Sequence, residues 1–250
     1  MGNKVKDAAK QCEYSISRTT RATVPNAQLL TARAACGAPP TCGKIAVMNQ
    51  TATIGKTIGI LALQGDYEAH RKVLEERLHW KTAEVRTPSD LAAVDALILP
   101  GGESTTMAKL LERIGLVAPI RARVEAGMPV YGTCAGMILM AKSIEDRPDQ
   151  PTLDLMDITV ARNAFGRQLD SFESDITLSV AGDEEAVRAV FIRAPYVVET
   201  GPTVEVLATF EGKIVAVRQG FRLATAFHPE LTDNDSVHAL FVTIVAESGG

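Results

Sequence analysis

The sequence predicts a three-layer α/β sandwich built on a mixed, mostly parallel central sheet, and three observations carry that prediction. Short apolar runs at 57–63, 95–100 and 129–131 alternate with stretches of helical periodicity. Each run ends in a glycine-led or proline-stopped loop, as strands do where they give way to a helix. After Ile144 the alternation stops and short β-rich stretches follow, which suggests antiparallel additions to the same sheet.

Thr57-Ile-Gly-Ile-Leu-Ala-Leu63 is an apolar run bounded by polar residues and Gln64-Gly65-Asp66, and reads as the first buried strand. Residues 67–79 place Ala69, Val73, Leu74 and Leu78 at helical spacing among charges, an amphipathic helix. A short strand at 83–86 precedes Thr87-Pro88 and a turn or short helix at 90–94; the third strand, 95–100, is stopped by Pro100. Gly101-Gly-Glu-Ser-Thr-Thr106 leads into a helix at 106–113, with Ser104 or Thr105 as its expected cap, and a second helix covers 117–125. The fourth strand is 129–131 and its helix 135–142. Beyond a polar loop at 145–151, β-rich stretches lie at 156–160, 172–180, 189–194, 203–210 and 213–218. The last strand, 223–227, runs into His228-Pro-Glu230, and a helix at 236–247 closes the chain. No internal repeat and no second domain of independent size is visible.

Composition narrows the function. With 250 residues, 46% hydrophobic, the chain can bury a full core. A net charge of −4 gives no basic patch for nucleic acid or an anionic membrane surface, and no apolar run reaches the length of a membrane span. Cys12, Cys36, Cys42 and Cys134 have no disulfide-framework spacing, which fits a reducing cytoplasmic location. His70, His79, His228 and His238 do not combine with cysteines at zinc-ligand spacing, so no metal is expected.

Residues 1–53 differ from the rest. They hold seven Lys or Arg against only Asp7 and Glu13, show no sustained period, and contain Gly37-Ala-Pro-Pro40. They read as an atypical, disordered N-terminal extension, with 54–250 as the folded domain. A misplaced start with Met48 as the working initiator accounts for such a segment; an organellar transit peptide shares its basic, acid-poor composition.

The chemistry gathers at strand ends, where open parallel sheets place their sites. In Pro129-Val-Tyr-Gly-Thr-Cys-Ala-Gly-Met137 a strand turns abruptly into a helix, lifting Cys134 out of the sheet over a helix N-terminus, a setting that favours a thiolate. An inert buried cysteine is the alternative reading. At another strand end, His228 can serve as base, and Glu230, beyond the stiff Pro229, can hold its ring. The backbone of Gly101-Gly102, with the Ala135 N–H, can face a tetrahedral oxyanion. Neither a phosphate loop nor a dinucleotide fingerprint is present.

These motifs, with Leu61-Ala-Leu-Gln-Gly-Asp66, Leu99-Pro-Gly-Gly-Glu-Ser-Thr-Thr-Met107, Arg162-Asn-Ala-Phe-Gly-Arg-Gln-Leu-Asp-Ser-Phe172, Phe191-Ile-Arg-Ala-Pro195 and Phe227-His-Pro-Glu-Leu-Thr232, closely resemble the glutaminase subunits of the two-protein pyridoxal 5′-phosphate synthases, which are class I, or triad, glutamine amidotransferases. The resemblance covers about residues 57–246. It implies a flavodoxin-like, class I glutamine amidotransferase fold. It also implies Cys134, His228 and Glu230 as catalytic triad, Gly102 and Ala135 as oxyanion backbone, and Gly102, Glu103, Ser104, Arg162, Ile192 and Arg193 as glutamine-binding positions. It implies L-glutamine as substrate, no bound cofactor, and a (βα)₈-barrel synthase as partner, which combines the released ammonia with ribose 5-phosphate and glyceraldehyde 3-phosphate. A triad glutaminase serving another synthase would keep Cys134 and His228 but not Arg162-Asn-Ala-Phe-Gly-Arg-Gln168; a non-catalytic scaffold is the rival of a different class. Two departures stand out: the extension at 1–53, and the lack of the family's usual glycine in Glu76-Arg-Leu-His-Trp-Lys81.

Overall fold

The computed structural model describes residues 55–162 and 171–248; the extension at 1–53 and the motif residues 163–170 lie outside the described residues. Five parallel strands make one half of the main sheet, in the order β2 (Thr82–Val85), β1 (Ile58–Leu61), β3 (Ala96–Leu99), β4 (Val130–Thr133) and β12 (Arg222–Thr225). β1, β3 and β4 are buried at every position, which is why they read as continuous apolar runs rather than alternating ones. Between them run α1 (Tyr67–Lys72), α2 (Pro88–Ala92), α3 (Ser104–Arg113) and α4 (Val117–Glu125). α5 (Ala135–Met140) follows β4, and α6 (Ser236–Glu247) closes the chain.

α1 does not end as an α-helix. It widens into a π-helical segment at Val73–Arg77, with Leu78 N donating to Val73 O, and the chain leaves through His79 at φ 57. His79 thus occupies the left-handed conformation that the missing glycine would have adopted without a Cβ penalty.

The second half of the sheet is mostly antiparallel. β11 (Lys213–Gln219) pairs with β12 and with β10 (Glu205–Phe210), then β9 (Tyr196–Thr200) and β6 (Met156–Ala161) follow, with β5 (Ala141–Ile144) parallel to β6 at the edge. Three sequence expectations are corrected here. The helix expected to reach 142 stops at Met140, because Ala141 turns extended and the backbone bonds pass to the segment before β6: Leu153 N to Leu139 O and Leu155 N to Met140 O. The region between 194 and 203 holds a further strand, β9, beyond those expected from the sequence. And β7 (Ser171–Val180) and β8 (Asp183–Ile192) do not join the main sheet: they form a separate two-stranded ribbon. β8 begins among the acids 183–185, yet Val187, Ala189 and Phe191 alternate inward while Arg188 on the outer face binds Glu173 and Asp175 across the ribbon, each at 3.1 Å. Phe172 and Phe191 stack at 4.8 Å, and Phe191 meets Phe227 of the main body at 5.7 Å, contacts worth about 0.5–1.5 kcal/mol each beyond their burial. The ribbon is thereby fastened beside the segment that carries His228.

Candidate active site

The C-terminal ends of β1, β3, β4 and β12 open on one cleft of about 310 Å³, lined by Gln64, Gly101, Gly102, Cys134, Arg193 and His228 among others. Cys134 sits between β4 and α5 at φ 48 and ψ −100, a region a side chain enters only when the surroundings enforce it. What enforces it is visible: Cys134 N donates to Thr225 O at 2.8 Å, its carbonyl already accepts from Ile138 N, and α5 is buried over its whole length. The turn aims Sγ at the cleft that His228 also lines, 3.7 Å from Ile192 O.

His228 leaves β12 through a main-chain bond to Val190 O of β8, and Pro229–Leu231 form one 3₁₀ turn. That turn brings Glu230 Oε1 to 2.7 Å from His228 Nδ1, so the other ring nitrogen is left to face the thiol. Burial alone would depress the imidazolium, but the hydrogen bonds and negative charges of Cys134 and Glu230 outweigh it and hold the His228 pKa up at about 10. Burial likewise pushes Glu230 up, and the histidines around it more than reverse this, to about 2. His70 is the largest of those opposing influences on Glu230, yet burial pushes its own pKa down; at neutral pH His70 is uncharged, and the charge that keeps Glu230 ionised is that of His228.

Gly101 and Gly102 supply the opposite wall. A Cβ on Gly101 would lie 2.2 Å from His228 Cε1, so only glycine lets the loop approach the imidazole this closely. Gly102 sits at φ +151 with Gln64 against it, and Gln64 Oε1 accepts from Glu103 N at 2.9 Å, tying this loop to the end of β1. Neither Gly102 N nor Ala135 N has a protein acceptor among the described residues, so both amides are free to serve the cleft.

The candidate binding residues divide by role. The cap of α3 is Glu103, not Ser104 or Thr105: its carboxylate takes the amides of Thr105 and Thr106 and the Thr106 hydroxyl, which together hold its pKa at about 2. Its side chain is therefore committed to the helix, although the residue lines the cleft. Ser104, Arg162, Ile192 and Arg193 also line it. Ile192 and Arg193 arrive from the end of the β7–β8 ribbon, and Arg193 takes φ 44 there.

Two residues that the motif reading passed over are joined to this set. Gln150, in the polar loop before β6, donates to Ser104 Oγ at 3.0 Å and accepts from Arg162 Nη1 at 3.0 Å and from Thr105 Oγ1. Nothing in a loop of Asp, Arg and Pro marks that glutamine beforehand. His70, by contrast, left a signal: it lies three and four residues before the buried Val73 and Leu74, on the inward stripe of α1, where a polar residue needs an explanation. Among the described residues no cluster of His, Cys, Asp and Glu is arranged to hold a metal, and no helix is long and apolar enough to cross a membrane.

A cysteine on a strained strand–helix turn, paired with a carboxylate-held histidine over an α/β sheet, is the arrangement against which comparison with known proteins is informative. Residues 60–247 match the SNO glutamine amidotransferase family. This chain belongs to that family. It is 52% identical over 190 residues to the pyridoxal 5′-phosphate synthase subunit PdxT of Carboxydothermus hydrogenoformans, covering 76% of this chain and 98% of that one. It is 56% identical over 195 residues to the PdxT subunit of Acidothermus cellulolyticus, covering 76% of this chain and 93% of the other. A solved glutamine amidotransferase structure superposes with a TM-score of 0.71 at 45% identity, over 75% of this chain and 98% of that one. The fold is thus the α/β fold of the glutamine amidotransferases, with the mostly parallel sheet that the alternating runs predict.

Proposed function

We propose that this SNO-family amidotransferase hydrolyses L-glutamine to L-glutamate and ammonia with Cys134 as nucleophile, His228 as acid and base, and Glu230 as the group that orients His228. The observation that carries the reading is the convergence of Cys134 and His228 on one cleft, with Glu230 Oε1 2.7 Å from His228 Nδ1.

The raised His228 pKa favours an imidazolium in the cleft that Cys134 shares. The thiolate attacks the side-chain amide carbon of glutamine, and the oxyanion that forms is turned toward the amides of Gly102 and Ala135. His228 gives its proton to the departing nitrogen; the C–N bond breaks, ammonia leaves, and a γ-glutamyl thioester remains. The now neutral imidazole takes a proton from water, the hydroxide so formed attacks the thioester, and its collapse releases glutamate with thiolate and imidazolium restored. Arg162 and Arg193 supply positive potential at the substrate end of the cleft, and Ser104, Ile192 and the main chain of Glu103 border it.

Because the relatives are pyridoxal 5′-phosphate synthase subunits, the ammonia is assigned to a separate (βα)₈-barrel synthase subunit that combines it with ribose 5-phosphate and glyceraldehyde 3-phosphate, in a cytoplasmic complex involving neither nucleic acid nor membrane. The test is steady-state glutamate production by the purified chain, alone and with a stoichiometric amount of the synthase subunit from the same genome. Glutamine turnover and glutamine-dependent pyridoxal 5′-phosphate formation are expected with the partner present, and both should vanish in Cys134→Ala. Undiminished turnover in that variant, with complex formation confirmed, would refute the assignment.

A further inference from the structure

Behind the triad lies a buried histidine pair that the mechanism above does not use. His70 and His238 are both 0% exposed, one on α1 and the other on α6, and their rings meet with His70 Nδ1 2.9 Å from His238 Nε2. The far side of His70 faces the site: Nε2 lies 3.2 Å from Thr133 Oγ1, next to the nucleophile in sequence, and 3.5 Å from Glu230 Oε1. That carboxylate oxygen is the one His228 binds, while Glu230 Oε2 finds no partner among the described residues. Tyr131 packs edge-on against both His70 and His238 and closes the pocket around them.

Counting donors fixes the direction of this chain. Burial lowers the pKa of His70, and burial together with the neighbouring His70 holds His238 down at about 3, so both rings are neutral at pH 7 and each carries one N–H. His238 Nδ1 is buried without a partner. A proton there would be an orphaned donor, which costs about 1–3 kcal/mol; with the proton on Nε2 the bare Nδ1 is only an unused acceptor. His238 Nε2–H therefore donates to His70 Nδ1. That obliges His70 to carry its proton on Nε2, aimed at Thr133 Oγ1 and the Glu230 carboxylate. The opposite tautomer would place two lone pairs, His70 Nε2 and Glu230 Oε1, face to face in a dry interior.

We propose that His70 is a positioning residue for the reaction: its Nε2–H, oriented from behind by His238, holds the Glu230 carboxylate in the place from which it aligns His228. This rests on the catalytic reading above. It makes the triad's last member a shared anchor for two histidines, one from the reacting side and one from the core.

Imidazole nitrogen NMR of the full chain at pH 7 reads the tautomers without any appeal to activity. Nε2-protonated His70 and His238 are expected; a His70 protonated on Nδ1 would overturn the proposal. Kinetics then read the consequence in the complex with the synthase subunit. His70→Leu should lower kcat about 10-fold with KM nearly unchanged, the fold-change expected for loss of one hydrogen bond to a charged group. His70→Gln, whose amide nitrogen reaches the Nε2 position, should restore most of the rate; His70→Asn, which reaches only the Nδ1 position, should not. In a Glu230→Ala background the His70→Leu change should add less than about twofold, because the group it acts through is gone. Equal losses with and without Glu230, or no rescue by Gln, would show that His70 merely fills space. If Cys134→Ala kept its activity, the catalytic reading would fall while the tautomer result stood on its own.

Discussion

The parallel and antiparallel halves of the sheet contribute differently to the cleft. The parallel half presents Cys134, His228, Glu230 and the Gly101–Gly102 loop, each held by buried strands and by main-chain bonds such as Cys134 N to Thr225 O. The antiparallel half and its ribbon present Arg162, Ile192 and Arg193, with Gln150 bracing Arg162 from a polar loop. The groups proposed to make and break bonds come from the first, and those proposed to hold the substrate come from the second, apart from the border supplied by Glu103 and Ser104. Substitutions in the first should therefore act on kcat and in the second on KM.

The largest expected effect tests the first half. Cys134→Ala should reduce glutamate production by about 10⁴-fold or more, His228→Ala should approach it, and Glu230→Ala should be milder because that residue is proposed to orient rather than transfer a proton. Initial rates with the partner present would order the three; a Glu230 variant as inactive as the Cys134 variant would mean that Glu230 does more than orient.

The pH profile comes next. The folded pKa of His228 is raised, to about 10. The stability gained by keeping it protonated is therefore complete below its unfolded value near 6.5 and lost as pH rises through about 10. Turnover should fall on the same alkaline limb, where the imidazolium proposed to protonate the departing nitrogen disappears. In Glu230→Ala that limb should move to lower pH, because a raising influence has been removed. A limb in the same place in both proteins, read from kcat against pH, would detach Glu230 from His228.

In the second half, Gln150→Ala should raise KM for glutamine about tenfold and leave kcat almost unchanged, since it removes one charge-assisted bond that holds Arg162. A fall in kcat at constant KM would erase the division of labour between the halves.

How legible each half was follows the same line. Strands buried on both faces write themselves as apolar runs, so β1, β3 and β4 and the chemistry at their ends could be read directly. β5 and β9 could not. β5, Ala-Lys-Ser-Ile, follows the helix with no glycine or proline between them, and only Ala141 turning extended separates them. β9 is framed by Pro195 and Gly201-Pro202, but it is only five residues long and half-covered, and Tyr-Val-Val-Glu-Thr carries no clear alternation. The β7–β8 strands carry a readable alternation, but which sheet they join depends on contacts among Phe172, Phe191 and Phe227 that lie far apart in sequence. In the site, Gln150 was invisible because a solvated loop glutamine and a bracing one look alike until their partners are known. The absent glycine near the end of the first helix was legible, and the structure shows its price in conformation: His79 at φ 57. His79→Gly should thus raise stability by about 0.5–1 kcal/mol with no change in turnover, the smallest effect predicted; a lower thermal midpoint would show that the histidine side chain compensates locally.

The position of β12 has a consequence for how the protein is made. The strand that joins the two halves, lying between β4 and β11, is the last one to leave the ribosome. Until residues 222–225 emerge, β4 and β11 each present an open edge, and the loop bearing His228 does not yet exist. A nascent chain is thus denied both a closed sheet and the histidine that shares the cleft with its cysteine, and assembly of the site coincides with closure of the fold. Chains stalled before Arg222 should be protease-sensitive, and those released past Glu247 resistant.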